Sequence, residues 1–252
     1  MKRQKAKGKK GLVVIGVIPA RYSSTRLHAK ALAMISGKPM IQHVYERCLK
    51  TKLLSDVLVA TDDKRIFDAV INFGGNVTMT SRSHKSGTDR IGEAVRNIKC
   101  DIVVNIQGDE PMISPGNIDK AIEPLLNEKS VNVSTLCIKI SDIKVINNPN
   151  VVKVVFDSNS NALYFSRSAV PFNRDNSKTE YFKHIGLYVY RKDYLMNFIK
   201  MKPSNLELTE KLEQLRILES GEKIKVIKTK IDSHSVDTAA DLKKIRKMFN
   251  GM

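Results

Sequence analysis

Three short stretches concentrate the side chains able to do chemistry. The first, residues 13–30, reads VVIGVIPARYSSTRLHAK: an apolar run stops at Pro19, and Arg21, Arg26 and Lys30 follow with the hydroxyls of Ser23, Ser24 and Thr25. A chain leaving a buried strand and entering a helix presents backbone N–H groups that gather anions. Arginine adds a rigid fork for phosphate oxygens and lysine a compact charge. The combination predicts a cradle for a polyphosphate. It matches neither GxxxxGK[ST] nor GxGxxG, which sets it apart from the Walker loop and the dinucleotide fingerprint. The second stretch, NIQGDEP at 105–111, again follows an apolar run. Asp109 suits Mg²⁺, which takes one or two carboxylates and completes its shell with phosphate oxygens and water; Gln107 suits a donor to a base or sugar. The third, HSVDTAADL at 234–242, opens a helical pattern. Either Asp237 or Thr238 is placed to cap that helix, and an Asp237 meeting Asp109 in space would complete a metal site. Spacing alone leaves these two readings open.

The elements that must position these groups alternate. Short β-branched runs fall at 13–18, 57–60, 76–79, 102–106 and 131–138, with helical patterns at 39–50, 64–73, 86–97 and 115–127 between them. That rhythm predicts an α/β fold, a parallel sheet with helices on both faces, and ligands beyond the carboxyl ends of the strands. Nearly continuous apolar strands such as IVVNI fit burial on both faces. After about residue 147 the pattern changes. Strands at 151–156 and 162–165 flank a turn and predict a hairpin. A polar, irregular stretch at 170–183 leads to a strand at 184–190. Helices at 192–201 and 208–220, a strand at 223–227 and a closing amphipathic helix at 238–249 follow. Gly37-Lys38-Pro39 reads as a turn into a helix opening at Pro39, with Lys38 only a decoy for a Walker lysine.

Composition narrows the class. The chain has 252 residues, 42% hydrophobic and 27% charged, and a net charge of +17. This length suits one large domain over 11–252, or one domain with a smaller lobe, preceded by a disordered basic tail at 1–10. No apolar run approaches the ~18 residues of a membrane span, and no secretory leader is visible. Cys48, Cys100 and Cys137 are odd in number and widely spaced, which argues against a disulfide framework or structural zinc and for a reduced, cytoplasmic setting. The positive balance suits a polyanionic small substrate. A nucleic-acid partner is not expected, since no aromatic RNA-binding signature or zinc finger accompanies the charge.

Eight segments taken in order, IPARYSSTRL, SGTDRI, QGDEPMI, NPNVVKVV, ALYFSR, HIGLYVYR, LEQLRILESGEKI and VDTAADL, resemble the 3-deoxy-manno-octulosonate cytidylyltransferase (CMP-Kdo synthetase) family, and the likeness runs from 11 to 249. The resemblance implies a Rossmann-like nucleotidyltransferase fold, with a mostly parallel mixed sheet flanked by helices. It implies a smaller sugar-binding and dimerisation lobe at about 147–200, a homodimer and Mg²⁺ dependence. The implied reaction is transfer of CMP from CTP to the anomeric hydroxyl of Kdo, with loss of pyrophosphate, for lipopolysaccharide synthesis. By resemblance Arg21 and Lys30 hold the triphosphate and stabilise the transition state, with Arg26 nearby. Asp109 and Asp237 bind the metal and complete the catalytic set. Ala20, Ser24, Ser86, Arg90 and Gln107 fall at nucleotide positions. Arg167, His184, Glu213 and Gln214 fall at sugar positions, with Arg167 suited to the sugar carboxylate and Glu213 and Gln214 on the helix expected at 208–220.

One departure stands out. The family ordinarily reads Leu-Pro-Gly-Lys-Pro where this chain has Leu27-His28-Ala29-Lys30-Ala31. Two prolines that restrain the backbone and one permissive glycine are absent, so the loop is expected to be stiffer at Ala29 and less fixed at Ala31. The competing readings are a cytidylyltransferase for a related acid sugar such as 8-amino-Kdo or sialic acid, a basic nucleic-acid-binding protein, and a nucleotide-binding module without catalysis.

Overall fold

The computed structural model describes residues 11–23, 27–175 and 177–251. The tail at 1–10 and the positions Ser24, Thr25 and Arg26 lie outside the described residues. The chain forms two compact units, one of Met1–Asp119 with Ser233–Met252 and the other of Lys120–Asp232.

The first unit is built on parallel strands. β1 (Val14–Ala20) leads to a two-strand ribbon, β2 (Met34–Ile35) and β3 (Lys38–Pro39), then to α1 (Met40–Cys48) and β4 (Asp56–Thr61). There follow α2 (Lys64–Asn72), β5 (Val77–Met79), α3 (Gly87–Val95), β6 (Ile102–Asn105) and α4 (Pro115–Asn127), which contains the unit boundary. β1 pairs in parallel with β4 and β6, and β4 with β5. All of β6 is buried, as a continuous apolar strand covered on both faces should be. α1 is buried along most of its surface, through Met40, Ile41, His43, Val44, Tyr45 and Cys48, while α2 buries Ile66 and Val70 at helical spacing.

The β2–β3 turn has Ser36 and Gly37 both at positive φ, 43° and 80°. This is the two-residue turn whose twist suits a hairpin. The helix expected to open at Pro39 opens one residue later: Pro39 is extended and forms the cap. Lys38 is spent on Glu46 at 2.8 Å.

The second unit is mixed. β7 (Val133–Ile140), α5 (Ile143–Ile146), β8 (Lys153–Phe156) and β9 (Ala162–Ser166) come first. β10 (Tyr181–Arg191), α6 (Lys192–Phe198), α7 (Asn205–Glu210), α8 (Leu215–Glu219) and β11 (Ile224–Thr229) complete it. β10 runs antiparallel to β7, β11 runs parallel to β7, and β8 and β9 form the expected antiparallel hairpin. β10 begins inside the stretch expected to be irregular. The single helix expected at 208–220 is two short helices, because Lys211 sits in the left-handed region at φ 54°, ψ 46° and ends α7. Ending there lets the carbonyls of Glu210 and Lys211 accept from Arg167 rather than from the next helical turn.

The chain then returns to the first unit as α9 (Ala239–Asn250). Val236, Leu242 and Ile245 pack with Ile35 and Met40 in one buried cluster, edged by Leu27, Met112 and Phe249. Each such apolar side chain contributes about 1.5–3 kcal/mol on full burial. The ribbon is the surface on which α9 docks.

Candidate active site

The carboxyl ends of β1 and β6 and the turn after the first loop enclose an open pocket of about 90 Å³, walled by residues 19–21, 30–31 and 107–109. It sits where parallel-sheet folds bind ligands. Gly108 is there for space: a Cβ at that position would lie 2.9 Å from the carbonyl oxygen of Pro19. The two strand-end loops approach too closely for any side chain. Ala20, Arg21, Lys30, Gln107 and Asp109 all line this pocket.

Lys30 Nζ donates to Asp109 Oδ2 at 2.6 Å and to Asp237 Oδ1 at 3.3 Å. Carboxylates 79 and 207 residues away from Lys30 in sequence therefore meet on its one ammonium. The side chains of Lys30, Asp109 and Asp237 are 18%, 23% and 33% exposed, so the cluster is shielded but open to a ligand. Two links bring Asp237 here. The Val236 N–H donates to the Asp109 carbonyl at 2.9 Å while the Val236 side chain is fully buried. α9 then starts at once, with Thr238 as its N-cap in a reciprocal box with Asp241. The Thr238 side-chain hydrogen bond holds the Asp241 carboxyl below its ordinary pKa. Thr238 is therefore the cap, and the Asp237 carboxylate is left to face Lys30.

The donor set fits the expected metal. Among the described residues no group of three or more His, Cys, Asp or Glu side chains is arranged to hold an ion. Asp109 and Asp237 offer hard oxygens converging on a site that already accepts a cation, the Lys30 ammonium. This is what Mg²⁺ uses when phosphates supply the rest of its shell.

The remaining nucleotide positions are structured differently. Ser86 caps α3: its Oγ accepts from the Asp89 N–H at 3.1 Å, and Asp89 Oδ2 accepts from the Ser86 N–H at 3.2 Å. Arg90 is fully buried. Its Nη2 donates to Asp62 Oδ2 at 2.6 Å and its Nη1 to Thr80 Oγ1. The guanidinium ties α3 to the ends of β4 and β5. Its Nε–H is buried without a partner.

In the second unit Arg167 follows β9. Its backbone N–H donates to Glu210 Oε2 at 2.9 Å, its Nε to the Glu210 carbonyl at 2.7 Å and its Nη1 to the Pro149 carbonyl at 3.0 Å. Beneath it Lys153 is fully buried. That ammonium donates to the carbonyls of Asn148 at 3.1 Å and Val151 at 2.7 Å, and to that of Arg167. His184 meets Thr135 Oγ1 at 3.0 Å and packs edge-on against Phe165. Burial pushes its pKa down to about 3, so at neutral pH it is an uncharged hydrogen-bonding group. Glu213 and Gln214 lie in the turn between α7 and α8, not on a continuous helix. Gln214 is buried at the start of α8, and Glu213 lies 3.8 Å from Arg216.

Sequence reasoning passed over Asp62, Glu210 and Lys153. Asp62 had a usable signal, since it follows the apolar run of β4 much as Asp109 follows that of β6. Lys153 and Glu210 had none, because a lysine in a strand and a glutamate on a short helix ordinarily face solvent.

A cytidylyltransferase family model matches residues 15–224. The 3-deoxy-manno-octulosonate cytidylyltransferase of Geotalea daltonii is 52% identical over 243 residues, covering 92% of this chain and 96% of that one. The enzyme of the same name from Geobacter sulfurreducens is 53% identical, covering 92% and 97%. A solved structure of CMP:2-keto-3-deoxy-manno-octonic acid synthetase complexed with CTP superposes with a TM-score of 0.92 at 43% identity, covering 95% of this chain and 99% of that one. At 14% identity and TM-score 0.65, 4-diphosphocytidyl-2C-methyl-D-erythritol synthase from Anaerococcus prevotii shares the fold alone. With the strand-end pocket, the paired carboxylates and these relatives all in agreement, the chain belongs to the 3-deoxy-manno-octulosonate cytidylyltransferase family.

Proposed function

We propose that this chain transfers CMP from CTP to the anomeric hydroxyl of Kdo and releases pyrophosphate, supplying an activated sugar acid for lipopolysaccharide synthesis in the cytoplasm. The observation that carries the reading is the meeting of Asp109 and Asp237 on Lys30 at the mouth of the pocket. The anomeric hydroxyl gives up its proton to solvent as its oxygen forms a bond to the α-phosphorus, the bond from that phosphorus to the bridging oxygen breaks, and pyrophosphate carries the electron pair away. Little covalent work falls to the protein in such a transfer; positioning and charge stabilisation do most of it.

Arg21 and Lys30 flank the pocket and take the triphosphate oxygens, and Gln107 takes a neutral hydrogen-bonding group of the nucleotide. Asp109 and Asp237 hold Mg²⁺. When bound, the ion neutralises phosphate charge and lowers the pKa of a coordinated hydroxyl. Arg90 props the loop after β5 through Thr80 and the end of β4 through Asp62. In the second unit Arg167 serves the sugar carboxylate through N–H groups left over from its backbone contacts. His184 serves as a neutral hydrogen-bonding group, and Glu213 and Gln214 serve the sugar hydroxyls. Leu163, Phe172, Leu206 and Leu208 of this unit are exposed, which supports pairing of two copies through it. No helix among the described residues is long and apolar enough to cross a membrane.

The test is pyrophosphate release from each of the four nucleoside triphosphates with and without Kdo. Release confined to CTP with Kdo and Mg²⁺ supports the reading; release with another acid sugar and not with Kdo overturns it.

A further inference from the structure

The loop that carries Lys30 lacks the two prolines that would restrain it and the glycine that would ease the conformation at position 29, yet Lys30 is held on two acids. What supplies the restraint is visible beside the pocket. Ala20 at the end of β1 pairs with Thr61 at the end of β4. Tyr22 and Asp63 each lie two residues beyond this last pair. Asp63 caps α2 and grips Arg65: its Oδ1 accepts from Arg65 Nε at 2.8 Å and its Oδ2 from Arg65 Nη2 at 2.7 Å. A guanidinium fixed at two donors is a flat platform, and the Tyr22 ring lies on it, with the Arg65 carbon 3.3 Å from the ring centroid. The same ring meets His28 edge to face, centroids 5.0 Å apart and planes at 90°. His28 leads directly into Ala29, which holds the left-handed conformation, φ 51°, ψ 33°. For an alanine this conformation is unfavourable relative to the right-handed one. The short turn at Lys30–Leu32 then follows, with the Leu32 N–H on the Ala29 carbonyl at 2.8 Å and the Ala33 N–H on the Lys30 carbonyl at 3.1 Å.

We propose that Tyr22, clasped between Arg65 and His28, is the positioning device that holds Ala29 in its unfavourable conformation and so fixes Lys30 in the pocket. Here an aromatic clasp does what proline and glycine do through the backbone. A stacked arginine and an edge-to-face ring pair are each favourable on the scale of that backbone penalty. Tyr22 touches no reacting group in this account; it acts through His28 and the turn. The consequence for CTP rests on the function proposed above, so the test has one arm that needs no nucleotide.

Amide hydrogen exchange of the ligand-free full chain reads the turn directly. Tyr22→Ala is expected to speed exchange at Leu32 and Ala33 at least tenfold, while Tyr22→Phe, which keeps the ring, leaves it within about twofold. In the background His28→Pro/Ala29→Gly/Ala31→Pro, where the backbone restraint is restored, Tyr22→Ala is expected to change exchange by less than twofold. Steady-state turnover should follow: Tyr22→Ala lowers kcat/KM for CTP about tenfold in the native background and by less than twofold in the restored one, with KM for Kdo unchanged in both. Equal losses in the two backgrounds, or no change in exchange at Leu32 and Ala33 on removing the ring, overturn the proposal. Exchange that behaves as expected in a protein that does not turn over CTP supports the clasp and rejects the nucleotide reading instead.

Discussion

The two units use charge in opposite ways. In the first, Lys30, Asp109 and Asp237 are satisfied chiefly by one another, and they border open space. A ligand bearing phosphate and a cation can replace each partner without leaving a buried group unpaired, so the cluster is built to be rearranged. In the second unit the buried Lys153 is spent on the backbone carbonyls of Asn148, Val151 and Arg167. Those bonds cannot be exchanged for a ligand without undoing the loop. A charge partnered with charge at a pocket mouth is poised for chemistry, whereas a charge partnered with carbonyls in the interior is architecture.

The sharpest way to break this contrast is at the acids. Asp109→Asn removes one ligand oxygen of the exchangeable cluster and is expected to lower Mg²⁺-dependent turnover on the order of 10³-fold, with a thermal midpoint within about 3 °C of the parent. Asp237→Asn should behave alike, because Thr238 and not Asp237 caps α9. Near-normal turnover in either variant would place the metal elsewhere.

The architectural side predicts the reverse. Lys153→Met takes the ammonium from the carbonyls of Asn148, Val151 and Arg167; the Asn148 carbonyl keeps the Val151 N–H, so two partly buried carbonyls lose this donor, at about 1–3 kcal/mol each. A loss of about 3 kcal/mol, roughly 6–12 °C in Tm, is expected. A variant as stable as the parent would show that the ammonium is not a strut.

His184 sharpens the contrast through pH. Its pKa is about 3 in the folded chain against an ordinary 6.5. Between those values the unfolded chain binds a proton that the folded chain refuses. Stability is therefore greatest above 6.5 and falls as pH drops toward 3. At ~1.4 kcal/mol per pH unit the loss reaches a few kcal/mol near the lower end. Denaturant unfolding of the parent and of His184→Gln should show a shallower acid limb in the variant; parallel limbs would mean the ring is solvated in the native state. The smallest effect is expected at Thr238→Ala, about 1 kcal/mol from the lost cap. Its turnover should fall far less than that of Asp237→Asn, and an equal fall would mean the cap itself sets Asp237.

Much of this molecule was legible early because its local periods are strong. The runs at 13–18, 57–60 and 102–106 announced buried parallel strands, and a carboxylate just past such a run announced Asp109. The helix expected at 208–220 was not legible as two pieces. Its break at Lys211 coincides with Arg167, from another part of the chain, donating to the carbonyls of Glu210 and Lys211, and no glycine or proline in the segment announces it. Nor did residue type reveal that Arg90 is buried on Asp62 and Thr80.

By itself, then, the sequence determined the α/β class, the polar groups at the strand ends and the family, since each rests on neighbours in the chain or on motifs in order. The tertiary structure alone decided that Asp237 meets Asp109, that Ala29 takes a glycine's conformation, and which charged side chains face a pocket and which face carbonyls. These depend on where α9 docks and on what each side chain is buried against. Such contacts join residues far apart in the chain, and they can override local propensity because each contributes as much free energy as that propensity does.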